Sequence, residues 1–178
     1  MKVAVISGSP RKTANTQIVM KHAFEYAKTK NEDTHFINLS EWQVEYYRGP
    51  DETYNEDTRK AVDVLLDADV WLIGTPIYNS FFSSAVKNLF EYVDYKKTEG
   101  KVAGMAIMAA GDIGFVDVQT MMTQLLSYFR VIANPKAVFL TVNDVKDGKI
   151  SSDAARRRLD VLVDETLSLA SKINQSQV

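Results

Sequence analysis

The chain has 178 residues, 46% of them hydrophobic and 25% charged, with 21 Lys and Arg against 23 Asp and Glu for a net charge of −2. That length suits one domain with a real core, and the even balance of signs argues against a nucleic-acid binder, which would show a basic face, and counts mildly against a strongly acidic electron carrier. With no cysteine, disulfides, thiolate nucleophiles, zinc–thiolate centres and cysteine-ligated clusters are excluded as well.

In chain order, Lys2–Ser7 is a short apolar run that leads straight into a glycine turn, without the long apolar stretch and cleavage site of a secretory signal. No window has the apolar length of a membrane span, so a cytoplasmic location is expected. Asn15–Lys28 places Val19, Ala23 and Ala27 on one stripe, which predicts a helix. Thr34–Leu39 alternates polar and apolar residues and reads as an edge strand. Ser40–Glu56 is long and irregular, a length often tied to function. Asp57–Asp67 reads as a helix with Ala61, Val64 and Leu65 facing inward, and Val70–Thr75 as a second continuous apolar strand. Ser84–Tyr95 is an amphipathic helix, Val102–Ala109 a strand, Val116–Arg130 a helix and Ala137–Val142 a strand. A last helix repeats Leu159, Leu162, Val163, Thr166, Ala170 and Ile173 on one face, and the polar tail Asn174–Val178 is expected to fray.

Continuous apolar runs are expected of strands covered on both faces. The regular alternation of strand and helix therefore predicts a single α/β domain over residues 1–178. Its expected architecture is a flavodoxin-like three-layer sandwich, a five-stranded parallel sheet in the order 2-1-3-4-5 with helices on both faces.

Ligands of open parallel sheets bind beyond the carboxyl ends of the strands, where the strand order reverses. Three segments follow such strands here, after Ile6, Ile73 and Met108. The first reads Ser7-Gly8-Ser9-Pro10-Arg11-Lys12-Thr13-Ala14-Asn15-Thr16 and opens a helix. Gly8 permits a tight turn, and amides at the start of a helix attract an anion. Ser9, Arg11, Asn15 and Thr16 can complete a phosphate shell. The segment has neither the G-x-G-x-x-G spacing nor a Walker loop, so one terminal phosphate fits better than a dinucleotide or a nucleoside triphosphate. The second segment, Gly74-Thr75-Pro76-Ile77-Tyr78-Asn79-Ser80, combines a rigid backbone with an aromatic and an amide that can meet a heterocycle edge. The third, Ala109-Ala110-Gly111-Asp112-Ile113-Gly114, is small and permits close backbone approach.

With both loops in view, the chain resembles the NADPH-dependent FMN reductase family, which is close to the flavodoxin-like azoreductases and quinone reductases. The resemblance is carried by Gly8-Ser9-Pro10-Arg11 with Asn15-Thr16, by Asp67-Ala68-Asp69 leading to Thr75-Pro76-Ile77-Tyr78-Asn79, and by Lys87-Asn88. It implies that Ser9, Arg11, Asn15 and Thr16 hold the FMN phosphate. It also implies that Pro76, Ile77, Tyr78 and Asn79 hold the isoalloxazine edge, with Gly111 and Asp112 bordering the ring. Lys87 and Asn88 take a structural role behind the loop. The implied activity passes hydride from NADPH to bound FMN, then electrons to a small-molecule acceptor such as a flavin, quinone or azo compound. No side-chain acid, base or metal ligand is implied, and members assemble as homodimers or homotetramers.

This chain departs from the family pattern at Ser80-Phe81-Phe82-Ser83-Ser84, where two aromatics can cover the ring, form a subunit seam or pack in the core. In a related iron–sulfur group, clustered cysteines occupy the region of Ser40–Glu56; here Trp42, Tyr46, Tyr47 and Tyr54 stand instead. Arg156-Arg157-Arg158 points in three directions on a helix and reads as a solvated face. His22 is expected to face solvent, and His35 has no carboxylate partner suggested by its spacing. An electron carrier without nicotinamide activity, or a non-catalytic FMN-binding sensor, shares the same fold.

Overall fold

The computed structural model describes residues 1–175. Five parallel positions make the central sheet: β1 (Val3–Ser7), β2 (Thr34–Asn38), β3 (Val70–Tyr78), then, past the short β4 (Phe81–Phe82), β5 (Val102–Ala109), and a fifth position divided between β6 (Ile132–Ala133) and β7 (Val138–Thr141). The order across the sheet is β2-β1-β3-β5, with β6 and β7 both pairing β5. Counting that last position as one strand, the arrangement is 2-1-3-4-5. The observed order thus departs from the expected one only in detail.

The division has a local cause. Ile132 and Ala133 pair with Val102 and Ala103, and Val138–Thr141 pair with Ala106–Ala109. Between them Pro135 has no N–H to donate, so the ladder is interrupted at the sheet edge, where proline is tolerated. Asn134, 4% exposed, closes the gap: its side chain accepts from the Lys136 N–H at 3.0 Å and donates to Thr166 Oγ1 at 3.2 Å.

Alternate residues of each strand feed two cores. Ala4, Ile6, Trp71, Ile73, Met105 and Ile107 face α2 (Glu56–Asp67), α3 (Ser84–Glu91) and α4 (Phe115–Tyr128). Val3, Val5, Val70, Leu72, Ala106 and Met108 face α1 (Asn15–Lys30) and α5 (Asp153–Gln175). Every residue of β1 and β5 is buried, as continuous apolar runs require. Trp71 lies fully inside, edge-on to Phe90 at 5.4 Å, and its indole N–H donates to the Leu65 carbonyl at 2.8 Å. The largest buried side chains each contribute about 1.5–3 kcal/mol.

Several boundaries differ from expectation. β3 runs on through Tyr78, because Pro76 keeps register with Met108 of β5 and the chain then turns back. α3 stops at Glu91, short of Tyr95, and Tyr95–Lys97 forms a separate single turn. α5 begins at Asp153 and continues through Gln175, so the first two residues of the tail expected to fray are helical; residues 176–178 lie outside the described ones. A small hairpin, β8 (Val145–Lys146) with β9 (Lys149–Ile150), precedes α5. No helix among the described residues is long and apolar enough to cross a membrane.

Candidate functional site

At the carboxyl edge of the sheet, β1 and β3 are drawn together by contact between glycines. The Gly8 N–H donates to the Gly74 carbonyl at 2.8 Å. A Cβ on Gly8 would meet that same carbonyl at 2.4 Å and Val86 at 2.3 Å. Gly8 is absent from the residues with positive φ. Its glycine is therefore required by close backbone approach and not, as expected from sequence, by a tight turn.

Ser83 fastens the two loops further. Fully buried, it caps α3 by accepting from the Val86 N–H at 3.1 Å, and its hydroxyl donates to the Gly8 carbonyl. Its own N–H donates to Thr75 Oγ1 at 3.0 Å. In the sequence Ser83 stands only as part of the Ser80–Ser84 departure. Its link to Gly8 spans 75 residues and is visible only in the fold.

Above this joint lies a cleft of about 410 Å³, bounded by Arg11, Thr13–Thr16, Pro76–Tyr78, Met108–Ala110 and Val142. That volume lies within the usual range for small-molecule sites. One end is built for an anion. α1 starts after Ala14, which supplies no side-chain cap, and its first turn carries no acid. By contrast α2 is capped by Asn55, α3 by Ser83, the Ala155 N–H at the start of α5 donates to Ser152 Oγ, and α4, which also lacks a side-chain cap, carries Asp117 in its first turn. The α1 amides and the Arg11 side chain thus face the cleft with a positive potential that the chain does not itself neutralise.

Of the ten residues singled out from sequence, Arg11, Asn15, Thr16, Pro76, Ile77 and Tyr78 line this one cleft. The other four stand outside its lining. Ser9 is fully buried; its hydroxyl accepts from the Arg11 N–H at 3.3 Å and meets the Tyr78 hydroxyl at 3.1 Å, tying the first loop to the second. Asn79 and Ser80 form the tip of the β3–β4 hairpin, both with positive φ (50° and 63°), the backbone of a two-residue I′ turn. Gly111 and Asp112 are exposed on the loop before α4. A Cβ on Gly111 would touch nothing within 4 Å. The chain's own packing therefore leaves the space beside its backbone clear. Thr13, Ala14, Met108 to Ala110 and Val142 were not singled out; lacking distinctive chemistry, they join the lining through topology alone.

The paired phenylalanines divide their roles. Phe82 is buried in the core beneath the hairpin, while Phe81 remains 44% exposed. The long loop before α2 is held by Asn88, whose amide accepts from the Tyr47 N–H at 3.0 Å and donates to the Glu45 carbonyl at 2.7 Å. Tyr92 also donates to that carbonyl, and burial among Tyr54 and Glu45 pushes its hydroxyl up to about 12. Glu45 itself accepts from the Asn55 N–H and from Arg48, which hold its carboxyl below the usual carboxylate range. His22 is partnered by Asp160 at 2.8 Å between α1 and α5, and His35 by Asp33 at 2.9 Å, contacts that neither spacing revealed.

An NAD(P)H-dependent FAD/FMN reductase of Geobacillus thermodenitrificans is 29% identical over 141 residues, covering 78% of this chain and 76% of that protein. An NADPH azoreductase from a Bacillus species is 28% identical over 155 residues, covering 86% and 84%. Among solved structures, the flavoenzyme NAD(P)H:acceptor oxidoreductase of Paracoccus denitrificans superposes with a TM-score of 0.76 at 22% identity, covering 96% of this chain and 97% of that one. At that identity, the likeness shows the shared flavodoxin-like fold. The family model described as NADPH-dependent FMN reductase matches residues 1–146, which span β1 through β8 and every segment of the cleft. The chain belongs to the NADPH-dependent FMN reductase family.

Proposed function

We propose that this protein is a cytoplasmic NAD(P)H-dependent reductase that binds FMN in the cleft at the end of β1, β3 and β5 and reduces a flavin, quinone or azo acceptor. The observation that carries the reading is the uncapped start of α1. It opens with Arg11 into a 410 Å³ cleft at the point where strand order reverses. The α1 amides, Arg11, Asn15 and Thr16 would hold the phosphate. Pro76, Ile77 and Tyr78 would hold the ring, with Asn79, Gly111 and Asp112 at its rim; the open space beside Gly111 admits a flat group against backbone.

FMN, when bound, would supply the redox chemistry between NAD(P)H and the acceptor. The chain contributes position. Ser83 and the Gly8–Gly74 contact fix the spacing between the phosphate end and the ring end. Ser9 and Tyr78 lock the same two loops from the cleft side. Ile77, Met108 and Val142 would give the ring an apolar wall to lie against.

Purified protein should be yellow, or become so with FMN, and should oxidise NADPH when a quinone is supplied. A colourless protein that takes up no flavin from an FMN titration overturns the reading. Flavin uptake without NAD(P)H oxidation would favour an electron carrier.

A further inference from the structure

Three large apolar side chains stand exposed at the end of the cleft that Ile77 and Tyr78 form. Phe81 is 44% exposed, Val116 67% and Ile113 90%, and none of the three packs against either core. They come from two segments that the fold sets side by side. In the β3–β4 hairpin Phe81 lies opposite Tyr78, which lines the cleft. Asn79 and Ser80 allow that tight return by taking left-handed backbone, although neither is the glycine such a turn prefers. The loop into α4 reaches the same place. A Cβ on Gly114 would stand 3.7 Å from the Ile77 side chain, which also lines the cleft. Phe115 then anchors the start of α4 by stacking on Phe139 at 4.8 Å, and Ile113 and Val116 on either side of it stay in solvent. Exposed apolar side chains scattered singly are ordinary, but a group of them on the rim of a concave site marks a surface that meets something.

The charges at this end are opposite to those at the start of α1. Residues 74–82 and 108–118 hold two acids, Asp112 and Asp117, and no Lys, Arg or His. Both acids are exposed, and neither makes an ion pair or hydrogen bond among the described residues. The start of α4 offsets only about half of one negative charge. An anion approaching this end is therefore repelled, by an amount that falls as salt is added. An uncharged flat molecule meets no such opposition, and it removes apolar side chains from water as it settles.

We propose that Phe81, Ile113 and Val116 form the platform for the electron acceptor, and that this acceptor is an uncharged, flat, apolar compound of the quinone kind. Anionic acceptors, such as diffusible FMN or a sulfonated azo compound, are disfavoured by Asp112 and Asp117. The platform adjoins the place where the ring would lie, so this inference rests on the flavin reading. The overall reaction balances with NAD(P)H as reductant: NAD(P)H, a proton and the quinone give NAD(P)+ and the hydroquinone, with two electrons passing from the nicotinamide to the quinone.

Equilibrium binding to the oxidised, FMN-saturated protein, without NADPH, separates recognition from turnover. In titration calorimetry at low salt, naphthoquinone should bind about tenfold more tightly than naphthoquinone sulfonate, and added salt should narrow the gap. Phe81→Ser should weaken naphthoquinone binding by roughly tenfold, while Phe81→Leu should largely retain it. Ile113→Ser combined with Val116→Ser, at side chains too exposed to support the fold, should weaken it several-fold. Asp117→Lys should tighten binding of the sulfonate several-fold and leave the uncharged quinone unaffected. FMN affinity, read by a fluorescence titration, should stay constant throughout. A protein that binds no FMN overturns the flavin reading and this inference with it. An FMN-replete protein that binds both quinones equally, or whose quinone affinity ignores Phe81→Ser, overturns the acceptor platform alone. So does a Phe81→Ser variant that loses self-association while keeping its quinone affinity, since Phe81 would then belong to a subunit seam.

Discussion

Ser83 holds together what the sequence displays as separate motifs. Its hydroxyl caps α3 and binds the Gly8 carbonyl, and its amide binds Thr75, all in a fully buried setting. Ser83→Ala should lower stability by about 2–3 kcal/mol, through the lost cap and a carbonyl left unpaired in the interior. Urea unfolding would read that loss; an FMN titration should show weaker affinity as the two loops lose their spacing. Arg11 acts at the same scale by charge. Arg11→Ala should weaken FMN binding by roughly tenfold or more, as expected for loss of a charge-assisted contact. Arg157→Ala, on the distant α5 face, should leave it unchanged. Equal effects of the two in a fluorescence titration would show that Arg11 does not meet the phosphate. Arg11, Asn15 and Thr16 stood out as polar residues between a buried strand and a helix, and all three line the cleft. Ser9 carries the same chemistry in sequence, yet its hydroxyl is spent between Arg11 and Tyr78. Side-chain direction at a strand end cannot be read from residue type.

Among the elements, the segment between β2 and α2 shows the limit of periodicity. It has no repeating pattern, and its order comes from contacts to other elements: Asn88 on α3, Tyr92 beyond it, and Glu45 clasping Asn55. Glu45 gives this loop a pH dependence whose sign is fixed. Its carboxyl is held below the ordinary value by the Asn55 N–H and by Arg48. The stabilisation it gives is therefore complete above the ordinary carboxylate value and is lost as pH falls through the depressed one. Protection of the Tyr47 and Asn55 amides from hydrogen exchange, taken relative to the intrinsic rate at each pH, should fall on acidification over that range, and Glu45→Gln should abolish the change. The divided edge strand was equally illegible. Ala137–Val142 announces β7 by its apolar run, but Ile132–Ala133 is too short for any pattern, and its pairing depends on Asn134 bridging to α5.

For the whole molecule, the sheet order determines where a ligand can bind, and binding there should report on global stability. FMN contacts would join β1, β3 and β5, so the folded state alone would hold it. At a hundredfold excess over its Kd, FMN should add about 2.7 kcal/mol of stability. That gain should appear as a Tm rise in a thermal melt, growing with FMN concentration. A Tm indifferent to FMN would mean that no site forms across those strands.

By itself the sequence determined the alternation of buried strands and helices, and hence a parallel sheet whose carboxyl edge is the expected place for a ligand. Burial on both faces leaves uninterrupted apolar runs, and polar residues at their ends then stand out. Family membership also rests on motifs that are local in the chain. Tertiary structure alone decided which of those polar side chains face the cleft, that Gly8 is needed for approach to Gly74, and that Asn88 orders a distant loop. Only the fold, too, turned two of three consecutive arginines into one surface with β7. The physical reason is common to these cases: each depends on contacts between residues far apart in the chain, set by packing and side-chain direction, which no local spacing encodes.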